Sequence, residues 1–243
     1  YTDVEYIYLT IEPDYVNLES NRLETSLNGQ GRWGYMDFPQ LSTGKGLTID
    51  AVRGLMNDAG FLVGTSATQL ADNFENQNGA QNNDFQNVSP VSREMPGIYA
   101  DAEVYTTYDD GGAGANALGV TVTQNSYQFA LEPDNNYFIQ EYTITNNSTT
   151  TPLNDVYAGM YFDMDGYWRT NNGSRYDTVA RCIYNFTEDF VTLWNTGIAL
   201  LTPDSLHGYA ADVNNFGFTK ADKWTALSSP PTGAELANVN VVQ

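Results

Sequence analysis

Three runs decide the fold: Leu118-Gly119-Val120-Thr121-Val122-Thr123, then FIQEYTIT from Phe138, then VYAGMYFDMDG from Val156 to Gly166. In the first, Leu118, Val120 and Val122 alternate with Thr121 and Thr123. In the second, Phe138, Tyr142 and Ile144 alternate with Ile139, Glu141, Thr143 and Thr145. In the third, Val156, Ala158, Met160 and Phe162 alternate with Tyr157, Gly159 and Tyr161. A period of two sends successive side chains to opposite faces, so each run predicts a β-strand. Asn146-Asn147-Ser148 through Thr151-Pro152 is turn chemistry and predicts that the last two runs pair antiparallel.

Working outward, Tyr1 to Glu12 alternates in the same way and closes at Pro13-Asp14, and a further strand is expected near Asn21 to Leu27. Asn28-Gly29-Gln30-Gly31 then turns into Arg32-Trp33-Gly34-Tyr35 and Asp37-Phe38-Pro39, an aromatic run expected in the core and over a sheet edge. Gly60-Phe61-Leu62-Val63-Gly64 reads as a buried strand. Asp72 to Pro96, rich in Asn, Gln and Gly, reads as a long surface loop or insertion. Tyr99 to Tyr108 is a strand, and Asp109-Asp110-Gly111-Gly112 a turn with solvated carboxylates. Tyr176 to Tyr184 and Phe190 to Leu201 read as strands, with Gly197 to Leu201 in the core. Thr219 to Leu227 is a short helix with Asp222 and Lys223 exposed. Together these predict an all-β fold, an antiparallel β-sandwich of ordinary or supersandwich form, with long Asn/Gly-rich loops and at most short helices.

The 243 residues suffice for one sandwich, so residues 1–243 are read as a single domain. The chain starts at Tyr1 without Met and ends on strand-like sequence, as expected of a segment or processed form of a longer secreted chain. Thirty acidic against 10 basic residues give a formal charge of -20, which repels nucleic-acid phosphates and anionic lipid surfaces. No stretch approaches the length of a bilayer span, so neither nucleic acid nor membrane insertion is expected. Cys182 is the only cysteine, excluding an internal disulfide, and its apolar flanks read it as a buried small hydrophobe.

Asp163 and Asp165, two residues apart on an extended chain, put both carboxylates on one side roughly 7 Å apart. With Asn171 and Asp177 as further oxygen donors they are the candidate ligands of a structural Ca²⁺, set against the alternative of an Asp pair making turn and cap hydrogen bonds. His207 is the only imidazole and no Gly-x-Ser-x-Gly elbow occurs, so no catalytic residue is assigned and no enzyme is expected. Trp33, Trp168, Trp194, Trp224 and the many Tyr could stack on sugar rings, but four Trp in a β-domain are more often core fillers.

Arg32-Trp33-Gly34-Tyr35, Gly64-Thr65-Ser66-Ala67-Thr68, Leu118-Gly119-Val120, Tyr142 to Asn146 and Val156 to Asp165 recur in an order that resembles a known region. It is the β-rich accessory region found downstream of subtilisin-like catalytic domains in large secreted proteins of Bacteroidota and related bacteria. The resemblance covers roughly residues 5 to 202 and implies export, often by the type IX route, rather than a catalytic activity. It also draws attention to Thr178 and Ser205, which stand in the Asp-Ser/Thr-aliphatic pattern on which those bacteria attach O-glycans. The expected function is therefore a non-catalytic extracellular or cell-surface structural or adhesive module. It would assemble with neighbouring domains or subunits as a homo-oligomer or polymer, in a surface filament or beside a protease. The alternatives are a carbohydrate-binding module with a polysaccharide partner, or a glycoside hydrolase-type β-sandwich.

Overall fold

The computed structural model of the protein describes residues 15–35, 44–52, 54–164, 172–177, 179–187, 195–202 and 217–229. In chain order their strands are β1 Tyr15–Leu18, β2 Leu23–Asn28, β3 Leu47–Ile49, β4 Asp58–Gly64, β5 Leu70–Asp72, β6 Gln86–Glu94 and β7 Ala102–Asp109. There follow β8 Val120–Gln128, β9 Phe138–Asn146, β10 Tyr157–Asp163, β11 Asn172–Asp177, β12 Cys182–Thr187, β13 Thr196–Ala199 and one α-helix, α1 Lys220–Ser228. The paired strands are antiparallel, so the fold is all-β and sandwich-like, as the alternation predicts. The strand expected over Tyr1 to Glu12 lies outside the described residues.

One layer is the sheet β6-β7-β8-β9. Its period-two pattern works as read: Val104, Tyr108, Val120 and Val122 are buried on the inner face, while Thr107, Thr121 and Thr123 stand on the outer. The other layer joins the sheets β1-β2-β3 and β10-β4-β5 through Arg32 and Trp33, which bridge Gly60 and Leu27. The Trp33 amide donates to the Ala59 carbonyl at 3.1 Å and the Phe61 amide to Gly31 at 3.0 Å. Gly31 (φ +81°) is required here, because a Cβ would stand 2.9 Å from the Tyr108 hydroxyl. Phe61, Val63, Phe85, Val120 and Val122 fill the space between the layers. Trp33 completes the core edge-on to Phe138 and Phe162 at 5.1 and 5.4 Å.

β9 and β10 do not pair with each other, contrary to the turn-based expectation. β9 pairs β8 and β10 pairs β4. The reason is burial: Met160 and Phe162 pack into the sandwich while Tyr161 stacks on Phe74 at 4.3 Å on the opposite face. A strand with two apolar faces belongs beside β4, which is buried along its whole length, and not beside β9, whose Glu141, Thr143 and Thr145 are exposed.

Five local expectations also fail. Asp72 to Pro96 is not one loop: Asp72, Phe74 and Phe85 are buried and residues 86–94 form β6. Its asparagines are structural, since Asn73 exchanges hydrogen bonds with the Phe85 backbone at 2.7 and 3.1 Å. Asp110 is buried rather than solvated, and accepts the amides of Leu118, Gly119 and Val120. Residues 176–184 are broken between β11 and β12, where Asp177 Oδ1 accepts the Val179 and Ala180 amides at 2.8 and 2.9 Å. Gly197, Ala199 and Leu201 are exposed, not core, and Cys182 is only half-buried.

The helix falls where expected, begun by Thr219 in a capping box with Asp222 at 3.0 and 3.1 Å. Lys223, however, is 2% exposed: Trp224 and Leu227 turn toward Leu62, Leu70 and Phe74, and Lys223 goes in with them. Its ammonium donates to Asp72 Oδ1 at 2.8 Å and lies 3.9 Å from the Phe74 ring centroid. Asn82 donates to the same carboxylate at 3.0 Å, and Lys220 bonds Asp84 and the Leu70 carbonyl. Burial drives the Asp72 carboxyl up and the Lys223 ammonium down, against the attraction that holds them together. Lys223→Met leaves Asp72 buried with, among the described residues, only Lys220 at 3.6 Å to balance it. We expect a loss of about 3 kcal/mol in urea unfolding, most of it recovered in Asp72→Leu/Lys223→Met.

Candidate interaction surface

Because β6-β7 and β8-β9 are successive antiparallel hairpins, residues 95–101 and 129–137 come out at the same end of the sheet. The β1-β2 turn at residues 19–22 joins them there: the Arg22 amide donates to the Asn135 carbonyl at 2.9 Å and Asn21 Nδ2 to the Tyr137 carbonyl at 2.8 Å. The Ala130 amide ties the two hairpin loops by donating to Asp101 at 2.8 Å. From this cross-linked end Met95, Ile98, Tyr99, Leu131 and Tyr137 project, with Ile98, Tyr99 and Leu131 each at least 75% exposed. Single exposed apolar residues need no explanation, but five on two interlocked loops do.

Loop 95–101 is held by Glu103 at the start of β7. This buried carboxylate accepts the amides of Tyr99 and Ala100 through one oxygen and the Tyr105 hydroxyl through the other. Burial works to raise its pKa, but the Tyr105 hydroxyl and the amides of Tyr99, Ala100 and Ile98 outweigh that and hold it below the usual glutamate range. Tyr99 then meets Tyr127 edge-on at 6.5 Å.

The end is also acidic. Its three loops carry Glu19, Asp101, Glu132 and Asp134 against Arg22. Arg22 is bound to Asp50 at 2.5 Å, neighbouring Arg93 donates to Glu19 at 3.3 Å and to the Asn17 carbonyl at 2.7 Å, and Lys45 bridges Glu19 and Glu24 at 3.1 and 2.9 Å.

None of these residues was singled out from sequence. The signal was there in Met95-Pro96-Gly97-Ile98-Tyr99, where a turn carries three large apolar side chains that turn geometry does not call for.

Of the proposed calcium ligands, Asp163 ends β10, paired across with Asp58, and accepts from Asn57 Nδ2 at 3.2 Å. Asp177 ends β11 and caps the turn that follows. Asp165 and Asn171 lie outside the described residues, as do Thr178, Ser205 and His207. Among the described residues no group of three or more His, Cys, Asp or Glu is placed to hold a metal ion. Trp33 is core and Trp224, on α1, packs against Leu62, Leu70 and Phe74, while Trp168 and Trp194 lie outside the described residues. No helix among the described residues is long and apolar enough to cross a membrane. No protein-family model, curated protein or solved structure matches the chain.

The sign of the Glu103 effect follows from its lowered pKa. Its contribution is complete above the unfolded glutamate value, near 4.5, and is lost as pH falls through the lower folded value. Hydrogen exchange at the Tyr99 and Ala100 amides should therefore be slow at neutral pH, corrected for intrinsic rate, and lose its protection in acid. In Glu103→Gln it should be fast at both.

Proposed function

We propose that this protein is a non-catalytic extracellular structural or adhesive module, which docks a positively charged partner protein on the loop end of its sandwich. The observation that carries the reading is the exposure of Met95, Ile98, Tyr99, Leu131 and Tyr137 on two hairpin loops cross-linked at one end of the sheet. A patch already braced by hydrogen bonds loses little conformational entropy on binding, which favours recognition by a rigid face. Its carboxylates, facing few and already engaged cations, choose the partner's sign. A second copy, itself carrying a formal charge of -20, is the less favoured occupant. Lysine and arginine on the partner would find both carboxylates and the Tyr99 and Tyr137 rings. The resemblance to accessory regions of large secreted proteins supports an extracellular place for such a module. It also supports a neighbouring domain as one source of the partner.

The test is selection from a displayed library of random peptides. Enriched sequences should pair Lys or Arg with aromatic or aliphatic residues, and their affinity should fall steeply as salt is raised. Tyr99→Ala/Leu131→Ser should abolish capture without moving the melting temperature, since both side chains are exposed. Enrichment of acidic or purely apolar peptides, or binding indifferent to this double substitution, overturns the reading.

A further inference from the structure

The outer face of the sheet β6-β7-β8-β9 carries a second feature that the loop end does not use. β6 leaves register with β7 twice, between Asn87 and Ser89 and between Ser89 and Ser92. Pro90 sits in the second interruption with no amide to give, and where the ladder is broken the Thr107 amide donates to the Ser89 hydroxyl at 3.0 Å. The irregular strand opens a groove of about 740 Å³ over β7 and β8, where Tyr105, Thr107, Thr123 and Asn125 stand beside an apolar wall of Val16, Pro90 and Val91. This is within the usual range for small-ligand sites.

The lining side chains are ordered. Tyr105 is fixed by its hydroxyl on Glu103, and Glu141 accepts Asn125 Nδ2 at 3.3 Å and the Tyr127 hydroxyl at 3.1 Å. Register sets Tyr105 beside Asn125 and Glu141, Thr107 beside Thr123 and Thr143, and Tyr127 one row further on. A half-buried aromatic ring therefore stands next to two threonine hydroxyls and a carboxamide on a face that stays open along β8 and β9.

The geometry points to a binding site for a neutral polysaccharide in this groove. A pyranose ring presents C–H groups to an aromatic face and hydroxyls around its rim, and the groove offers Tyr105 for the first and Thr107, Thr123 and Asn125 for the second. Charge narrows the class. Glu94 and Glu141 border the site, and the cation that lines it, Arg93, is committed to Glu19 and the Asn17 carbonyl. Phosphorylated, sulfated and uronate-bearing chains are repelled.

The site is independent of the loop end and stands or falls separately. Native affinity electrophoresis in gels containing xylan, mannan, galactan or a β-glucan, with alginate as the charged control, reads it directly. At least one neutral polymer should retard the protein while alginate does not. Thr123→Ala and Asn125→Ala each remove a hydrogen bond to the sugar and should weaken binding by about tenfold without changing the melting temperature. Tyr105→Phe, which keeps the ring, should retain most of it, and Tyr99→Ala/Leu131→Ser should leave it unchanged. The inference is overturned if no neutral polymer retards the protein, if alginate binds as well, or if Thr123→Ala and Asn125→Ala bind like the unaltered chain. Loss on Tyr99→Ala/Leu131→Ser would overturn it too, by moving the sugar to the loop end.

Discussion

The structure depends on a strand that is covered on both faces. β4 has every residue buried: Phe61 and Val63 meet the four-stranded sheet, and Leu62 meets α1. Its hydrogen bonds are met by β10 on one side, and on the other by β5 and the segment through Gly31 and Trp33. Two-sided burial is ordinary for parallel sheets but demanding for an antiparallel one, because something must cover the second face. Here that cover is a nine-residue helix, too short to hold itself together in water. It is held by Trp224 and Leu227 against the sheet, and by Lys223 and Lys220 reaching Asp72 and Asp84.

The acidic composition works inside the protein as well as on its surface. Asp110 gathers the amides of the β8 start, Glu103 gathers those of loop 95–101, and Asp72 receives Lys223 and Asn82. Asp58 receives Arg32 through Nε and Nη2 at 3.0 and 2.9 Å, with the guanidinium over the Tyr35 ring. Irregular segments of a β-protein expose amides that no ladder partner reaches, and a carboxylate satisfies two or three of them from one side chain. Part of the negative charge is thus internal bonding.

Period two carried the strands of the sandwich and its core-facing residues, because alternation is a local property that burial on one face preserves. Pairing was not legible where turn chemistry and burial disagreed. The Asn146 to Pro152 segment looks like a hairpin, and only the two apolar faces of β10 reveal that it crosses to the other layer. β6 was hidden because an edge strand interrupted by bulges and exposed on most of its length has no alternation to read. Lys223 was misplaced because its burial depends on Asp72, some 150 positions away. The loop-end cluster was missed for the same reason in reverse: Ile98, Tyr99 and Leu131 look like isolated loop residues until the hairpins bring them together.

The two surfaces meet at one side chain. Glu103 Oε1 holds the amides of loop 95–101, from which Ile98 and Tyr99 project, and Oε2 holds the hydroxyl of Tyr105, which lines the groove. A Cβ on Gly97 would stand 2.4 Å from this carboxylate, so the loop lies flat over it and forms a wall at that end of the outer sheet face. The carboxylate cannot move to serve one side without disturbing the other, since each oxygen is committed. Tyr99 and Tyr127 extend the link, one from the loop and one from the row beside the groove. One buried carboxylate thus orders the backbone of the loop end and one ring of the groove, with its burial made tolerable by the backbone amides, while the exposed side chains of the two surfaces stay separate.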